Sequence, residues 1–225
     1  MPGYSNAFIS YQTADKATAG TIKSILAPIG ISAFLAHEDI EVSEQWRNKI
    51  LKEIGKSDIF ICLLSKNYLE SDWCLQESGI AAFRKSTLII PLSLDHTNPP
   101  GFLGHVQSGQ ISAADITMRD IAPSFIKVDL VKGVETLIKI IGFAKNYRDA
   151  KWFFKILVPH LNELSPEQGA RLLETCEKND QVCNAAKCAR EYIPRAISLF
   201  ASHAGVDTVN SLKATCRRYG VDFTE

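Results

Sequence analysis

The stretch DIFICLLSKNYLESDWCLQESG, residues 58–79, decides how the N-terminal half of this chain folds. Asp58 to Leu64 is a continuous apolar run of strand length, as expected of a central parallel strand covered on both faces. Ser65 to Asp72 is a polar, turn-rich connector, and Trp73 to Lys85 is a helix. Strand, connector and helix in that order make half of a parallel crossover unit.

The same alternation extends to both sides. Upstream, Ala7-Phe8-Ile9-Ser10-Tyr11 is a short buried strand. Asp15 caps a helix that runs to about Pro28, with Ala19, Ile22, Ile25 and Leu26 on one face and Gly30 as its stop. Ile31 to Leu35 is the second strand. A polar loop, His37 to Ser43, leads into a helix with Trp46, Ile50, Leu51 and Ile54 at helical spacing, capped by Ser43. Downstream, Thr87 to Leu94 is the fourth strand, and Asp95 to Gly101 is a loop rich in breakers. Gln110 to Ala113 is a weak edge strand, and Val131 to Ala144 is an amphipathic helix. Repeated this way, the pattern implies right-handed crossovers and a parallel sheet. Ligands of such sheets bind beyond the carboxyl ends of the strands. That rule selects Ser10-Tyr11-Gln12, Ala36 to Ser43, Ser65 to Asp72 and Asp95 to Gly101, and it puts Glu77 at the working end of the domain.

From about Lys145 the strand signals stop. Trp152, Phe153, Ile156 and Leu157 form a helical stripe. Ser165-Pro166-Glu167-Gln168 is a helix start with a capping Ser, Pro at the first position and Gln at the third. Cys183 to Phe200 is helical with Pro194 as a kink or break, and Thr208 to Arg218 is a last helix before Gly220. The expected organisation is therefore one α/β domain over residues 5–143 and a small helical bundle over 145–225.

Composition narrows the function classes. The 225 residues are 46% hydrophobic and 22% charged, which is ordinary for a globular chain. Residues 1–145 carry 14 basic and 15 acidic side chains, and 146–225 carry 11 and 10. Neither part has the basic excess of a nucleic-acid or anionic-membrane binder. The N-terminus has no signal-peptide pattern, and no apolar run reaches the ~18 residues of a membrane helix, so a cytoplasmic location is expected. Cys62 reads as a small buried hydrophobe. Cys176, Cys183 and Cys188 lack C-x-x-C spacing, and the histidines are scattered, so no metal site is expected.

Trp73 and Glu77 are four residues apart and so share one side of their helix. A carboxylate beside a large aromatic surface suits a flat, cationic, ring-bearing substrate. The alternative is a solvated Glu77 and a Trp73 that anchors the core.

The ensemble of segments adds to this. Ala7 to Tyr11 opens the domain, and Ala33-Phe34-Leu35-Ala36-His37-Glu38-Asp39-Ile40 and Trp46 follow one helix later. Next come Ile61 to Ser65, Asn67-Tyr68-Leu69, Ser71 and Trp73-Cys74-Leu75-Gln76-Glu77. In this order and spacing the chain closely resembles the TIR domain family over about residues 5–143, and no such match covers 145–225. The resemblance implies a flavodoxin-like five-stranded parallel sheet, here followed by a small all-α extension. It also implies one of two functions. Many bacterial and plant members, and one animal axon-degeneration protein, cleave NAD with a Glu at the position of Glu77. Animal receptor and adaptor members lack that Glu and signal by homotypic assembly through the loop after the second strand.

Glu77 and Trp73 favour the enzyme, an NAD glycohydrolase or cyclase for which NAD is substrate and no cofactor is needed. By the same resemblance Ser10, Tyr11, Phe34, Glu38, Asp39, Trp46 and Trp73 line or adjoin the substrate pocket. Phe34 reads first as core, Trp46 either stacks on ligand or packs as core, and Glu38 and Asp39 can contact a neighbouring subunit. The resemblance further implies a homo-oligomer, formed through TIR surfaces or the C-terminal helices. It also implies a role in antiviral defence, through NAD loss or a nucleotide product that reaches a downstream effector. The chain departs from the family at Ile40-Glu41-Val42-Ser43, which lacks the common Pro-Gly turn, and matches it weakly over Gly101 to Ser124. Related architectures are excluded by their own motifs. The end of the first strand lacks the acidic cluster of a phosphorelay receiver, and neither G-x-G-x-x-G nor a P-loop is present.

Overall fold

The computed structural model describes residues 3–36 and 46–223. It divides into two compact units, Tyr4–Asp129 and Leu130–Glu225 with Met1–Gly3. The expected boundary near residue 145 and this division differ by one helix, Leu130–Gly142. That helix packs against the C-terminal helix Pro166–Lys178.

In the first unit β1 (Asn6–Ser10) is followed by α1 (Lys16–Leu26), β2 (Ser32–Leu35), α2 (Trp46–Lys56) and β3 (Ile59–Leu64). Then come α3 (Lys66–Leu69), α4 (Asp72–Phe83), β4 (Leu88–Ser93), β5 (Gly109–Gln110) and α5 (Met118–Ile121). The five strands lie in the order β2-β1-β3-β4-β5, and every pairing is parallel. The flavodoxin-like sheet is therefore as the sequence predicts. β5 begins at Gly109 and keeps only two residues, against the four expected over 110–113. The connector expected over Ser65 to Asp72 contains a helical turn, α3, and the helix expected over Trp73 to Lys85 is α4, which begins at Asp72 with Ser71 as its cap. The polar loop, with His37, Glu38, Asp39 and Ser43, the cap expected for the next helix, lies outside the described residues.

Strand register sorts the side chains. Phe8 pairs with Phe34 on one side and Phe60 on the other, and Ser10 pairs with Cys62. The Phe8 ring stacks on both neighbours, at centroid distances of 5.5 and 5.7 Å. With Cys62, Leu64, Ile50, Ile54, Tyr68, Cys74 and Ala81 these residues form a core under α2 and α4. Burying a side chain such as Phe60 contributes about 2–3 kcal/mol each. All six residues of β3 are buried, because the strand has a paired neighbour on either edge and a covered face above and below. At the amino end of the sheet the Asp58 carboxylate accepts from Ser5 N and Oγ and from Asn6 N, at 3.0–3.2 Å. After α1 a 3-10 turn, Ala27–Ile29, ends at Gly30 with φ +77°, a left-handed conformation that favours glycine.

The second unit contains α6 (Leu130–Gly142), α7 (Tyr147–Leu157), α8 (Pro166–Lys178), α9 (Asp180–Cys183), α10 (Ile193–Phe200) and α11 (Val206–Arg218). Ser165 caps α8 as its motif predicts: Gln168 N donates to Ser165 Oγ at 3.3 Å, and Ser165 N to Gln168 Oε1 at 3.0 Å. Pro194 does not break its helix. A π-turn over Cys188–Tyr192 precedes it and shifts the hydrogen-bond register where Pro194 has no N–H to give. Asn179 Nδ2 donates to the carbonyls of Gly142 (2.8 Å) and Ala144 (3.1 Å), tying the end of α6 to the start of α9. Arg171 pairs with the buried carboxylate of Glu135. No helix among the described residues is long and apolar enough to cross a membrane.

Gly169 of α8 faces Phe200 of α10, and a Cβ placed there would fall inside the van der Waals surface of that ring. Gly169→Ala should therefore destabilise the helical unit by about 1–3 kcal/mol, despite its better helix propensity. Thermal unfolding checks this; an unchanged or raised midpoint would contradict the packing described.

Candidate functional site

Two helix starts bring the site together. Ser65, at the end of β3, caps α3: Tyr68 N donates to Ser65 Oγ at 3.2 Å. Ser71 caps α4 in the same way through Cys74 N at 3.3 Å. Both caps satisfy backbone donors that a helix start leaves without partners. α4 then turns a stripe of Cys74, Glu77, Ser78 and Ala81 inward, at the i, i+3, i+4, i+7 spacing of one helix face. Three of those four residues are Glu, Ser and Cys, where ordinary packing would place aliphatics.

Glu77 is 2% exposed. Ser10 Oγ, at the carboxyl end of β1, donates to Glu77 Oε2 at 2.6 Å. The Tyr68 hydroxyl lies 2.9 Å from Ser10 Oγ, 2.8 Å from Ser78 Oγ and 3.3 Å from the Cys74 carbonyl, with one proton to share among these acceptors. Burial pushes the Glu77 carboxyl up to about 7, and the bond from Ser10 pulls the other way without cancelling it. Near neutral pH the group is thus divided between its charged and neutral forms. Burial also holds the Cys74 thiol up at about 11 and the Cys62 thiol at about 12, so neither is a nucleophile at neutral pH.

The aromatic candidates pair with each other. The rings of Trp46 and Trp73 meet edge to face, with centroids 4.0 Å apart, at the starts of α2 and α4. Both remain partly open to solvent, at 42% and 37% exposed. The i, i+4 spacing suggests a Trp73–Glu77 pair, but the structure turns Glu77 to Ser10 and Trp73 to Trp46. Phe34 stacks on Phe8 in the core, and Tyr11 is fully buried. Glu38 and Asp39 fall outside the described residues. Tyr68 and Ser78 are members of the site that the sequence reading does not name. The one signal for them is a tyrosine three residues after a capping Ser, inside a connector otherwise polar.

Further along the same end of the sheet, the loops are laced together. Ser65 Oγ donates to Asp15 Oδ2 at 2.7 Å, and Lys66 N to Asp95 Oδ2 at 2.9 Å. Asp95 Oδ1 also accepts from Thr97 Oγ1 at 2.6 Å. His96, between them, has φ +66°, which is uncommon for a residue with a side chain. No group of His, Cys, Asp and Glu among the described residues is arranged to hold a metal ion.

The raised Glu77 carboxyl has a consequence for folding. Between pH 4.5 and about 7 the folded chain holds a proton that the unfolded chain has lost, so stability falls as pH rises through that window. Glu77→Gln removes the charge and keeps the shape. The variant should match the wild type near pH 4.5 and exceed it at pH 8 by up to ~3 kcal/mol, read by denaturant unfolding at both pH values. Equal stabilities at pH 8 would mean that Glu77 is not a strained buried acid.

The chain is similar to known proteins in two comparisons. The TIR domain of a Toll-related receptor, TRR-2, from Hydra magnipapillata is 23% identical, with a TM-score of 0.42, over 53% of this chain and 90% of that one. The family model described as TIR domain matches residues 7–123, from β1 to just beyond α5, which is more than half of the chain. Its match takes in Ser10, Tyr68 and Glu77 together, and the chain belongs to the TIR domain family.

Proposed function

We propose that this chain cleaves the bond between nicotinamide and ribose in NAD, with Glu77 as the group beside the reacting carbon. The observation that carries the reading is a buried carboxyl, hydrogen-bonded to Ser10, at the carboxyl end of a parallel sheet. Perturbed, desolvated acids at such places are candidates for catalysis on physical grounds.

The chemistry asks for little more. Nicotinamide is bound to ribose as a cationic pyridinium and leaves as a neutral base, so its departure requires no general acid. Positive charge then develops on the ribose, as in glycoside hydrolysis. A carboxylate beside it stabilises that charge most effectively where water is excluded. The cationic ring also favours the ionised form of Glu77 on binding, and so draws down the carboxyl that burial had raised. Water attacking the ribose carbon gives ADP-ribose. An atom of the same ADP-ribose gives a cyclic isomer, and another nucleophile gives a conjugate. Trp46 and Trp73 offer an aromatic surface for a planar base.

The wider role follows the resemblance: antiviral defence, by depletion of NAD or by a nucleotide signal to a downstream effector. A cytoplasmic setting, where NAD is abundant, belongs to this proposal. The six cysteines are free thiols, which suits a reducing compartment. Homo-oligomers, through TIR surfaces or the C-terminal helices, would complete or position the site.

A second reading is a scaffold that signals by assembly without chemistry. In its favour, Glu77 is only 2% exposed and closed onto Ser10, as a purely structural carboxylate would be.

Incubation with NAD, followed by mass spectrometry, separates the two. Nicotinamide should be released together with a linear, cyclic or conjugated ADP-ribose. Glu77→Ala should lower the rate by roughly 10²–10³-fold or more, and kcat/KM of the wild type should rise with pH through about 7, where the free carboxyl ionises. Absence of release in every assembled state, or full release from Glu77→Ala, would leave the scaffold. If assembly controls the site, the rate per chain should climb with protein concentration in step with oligomer formed, as measured by light scattering.

A further inference from the structure

Three buried hydroxyls run in line to the Glu77 carboxyl: Ser78 Oγ to Tyr68 OH at 2.8 Å, Tyr68 OH to Ser10 Oγ at 2.9 Å, and Ser10 Oγ to Glu77 Oε2 at 2.6 Å. Exposure is 3% for Ser78 and 0% for Tyr68 and Ser10, so water does not compete for these bonds. Each hydroxyl has one proton to give. With Glu77 ionised, Ser10 spends its proton on the carboxylate and must accept from Tyr68, and Tyr68 in turn accepts from Ser78. All three then point toward the charge, and bonds in such a chain strengthen one another.

The chain also has a reverse setting. A protonated Glu77 donates to Ser10, Ser10 donates to Tyr68, and Tyr68 turns its proton to the Cys74 carbonyl, 3.3 Å away. Both protonation states are thereby hydrogen-bonded without movement of a heavy atom. The far end returns to α4 itself, since Cys74, Glu77 and Ser78 are one turn of the same helix.

We propose that Tyr68 is a positioning residue that, through Ser10, sets the orientation and protonation of Glu77, the chain of hydroxyls reversing direction when the carboxyl takes up or gives off its proton. Its relevance to catalysis rests on the reading of Glu77 as the group beside the reacting carbon. The hydroxyl chain itself does not.

The other groups around Glu77 leave this role to the hydroxyls. β1 contributes Ser10 and β3 the thiol of Cys62; α4 contributes the thiol of Cys74. Both thiols are neutral where Glu77 titrates. α3 presents Tyr68, whose phenol is held well above its ordinary value by burial, so it acts as a neutral hydroxyl. Lys66 and Asp72 on α3 and α4 are exposed. On α2 the buried carboxylate is Glu53, paired with Lys56 at 2.7 Å, while Arg47 and Lys52 are exposed and Lys49 half-buried. Arg84, beyond α4, donates to the Ile54 and Ser57 carbonyls. The segment Gly101–Leu103, which packs on α4, has no titratable side chain.

The test reads the carboxyl directly, in the full chain and without substrate. Glutamate labelled with ¹³C is titrated by infrared difference spectroscopy or NMR, in wild type, Tyr68→Phe and Ser78→Ala, with Glu77→Gln to assign the signal. Tyr68→Phe should move the Glu77 midpoint upward by about one pH unit, through loss of the donor that polarises Ser10. Ser78→Ala should move it the same way by less. In the nicotinamide-release assay the Tyr68→Phe profile should shift alkaline by the same amount: about tenfold slower on the acid side and close to wild type well above the new midpoint. Loss of packing alone would lower the rate at every pH.

An unmoved midpoint in folded Tyr68→Phe overturns the proposal. If that variant does not fold, an unmoved midpoint in Ser78→Ala does so. A shifted midpoint in a protein that releases no nicotinamide supports the hydroxyl chain while removing the NAD reading, so the two failures are distinct.

Discussion

A carboxyl that is 2% exposed needs a partner, and Ser10 supplies one at 2.6 Å. Much of the N-terminal unit is arranged around that bond. It requires β1 to end beside β3, so that Ser10 and Cys62 are register neighbours. It requires α4 to start close above the strand ends, which the caps at Ser65 and Ser71 bring about. And it requires Tyr68, buried in the short α3, to hold the far side of Ser10. The bond opposes desolvation without overcoming it, so the carboxyl stays near 7. A group held that way costs stability whenever it is charged. A cost of this kind is what the proposed catalytic role of Glu77 would require.

α4 shows how this is accommodated. Its inward stripe is small and polar, and several of its large apolar side chains, Trp73, Leu75 and Phe83, lie on the outside. The helix is therefore a poor source of hydrophobic burial. The core around it is filled from the sheet, by Phe8, Phe60, Cys62 and Leu64, and from α2, by Ile50 and Ile54. Most of the burial around the site is thus supplied by elements other than α4. The C-terminal helices have their own core and polar ties, such as Asn179 to the end of α6 and Arg171 to Glu135.

The strands were legible because buried parallel strands leave a strong local signature. β3 is an unbroken apolar run, and its neighbours are bounded by Gly, Pro and polar loops. Helix starts were legible for the same local reason: Ser165-Pro166-Glu167-Gln168 behaves as its residue types require. Less local features were read less well. The connector Ser65 to Asp72 contains a helical turn, since a Ser cap and a buried Tyr outweigh its polar composition. Pro194 stays within a helix, because a π-turn ahead of it removes the need for its missing donor.

The sequence by itself determined the family, the parallel order of strand and helix, and the placing of Glu77 at the carboxyl end of the sheet. Those follow from periodicity, turn chemistry and a motif of fixed spacing, all of which act between near neighbours in the chain. Only the tertiary structure decided what Glu77 touches. Residues four apart on a helix differ by about 40° around its axis, enough at the edge of a core to send Glu77 inward and leave Trp73 half open. Its direct partner lies 67 residues away at Ser10, and that hydroxyl in turn meets Tyr68. No local rule brings those groups together, because their meeting depends on the register of β1 against β3.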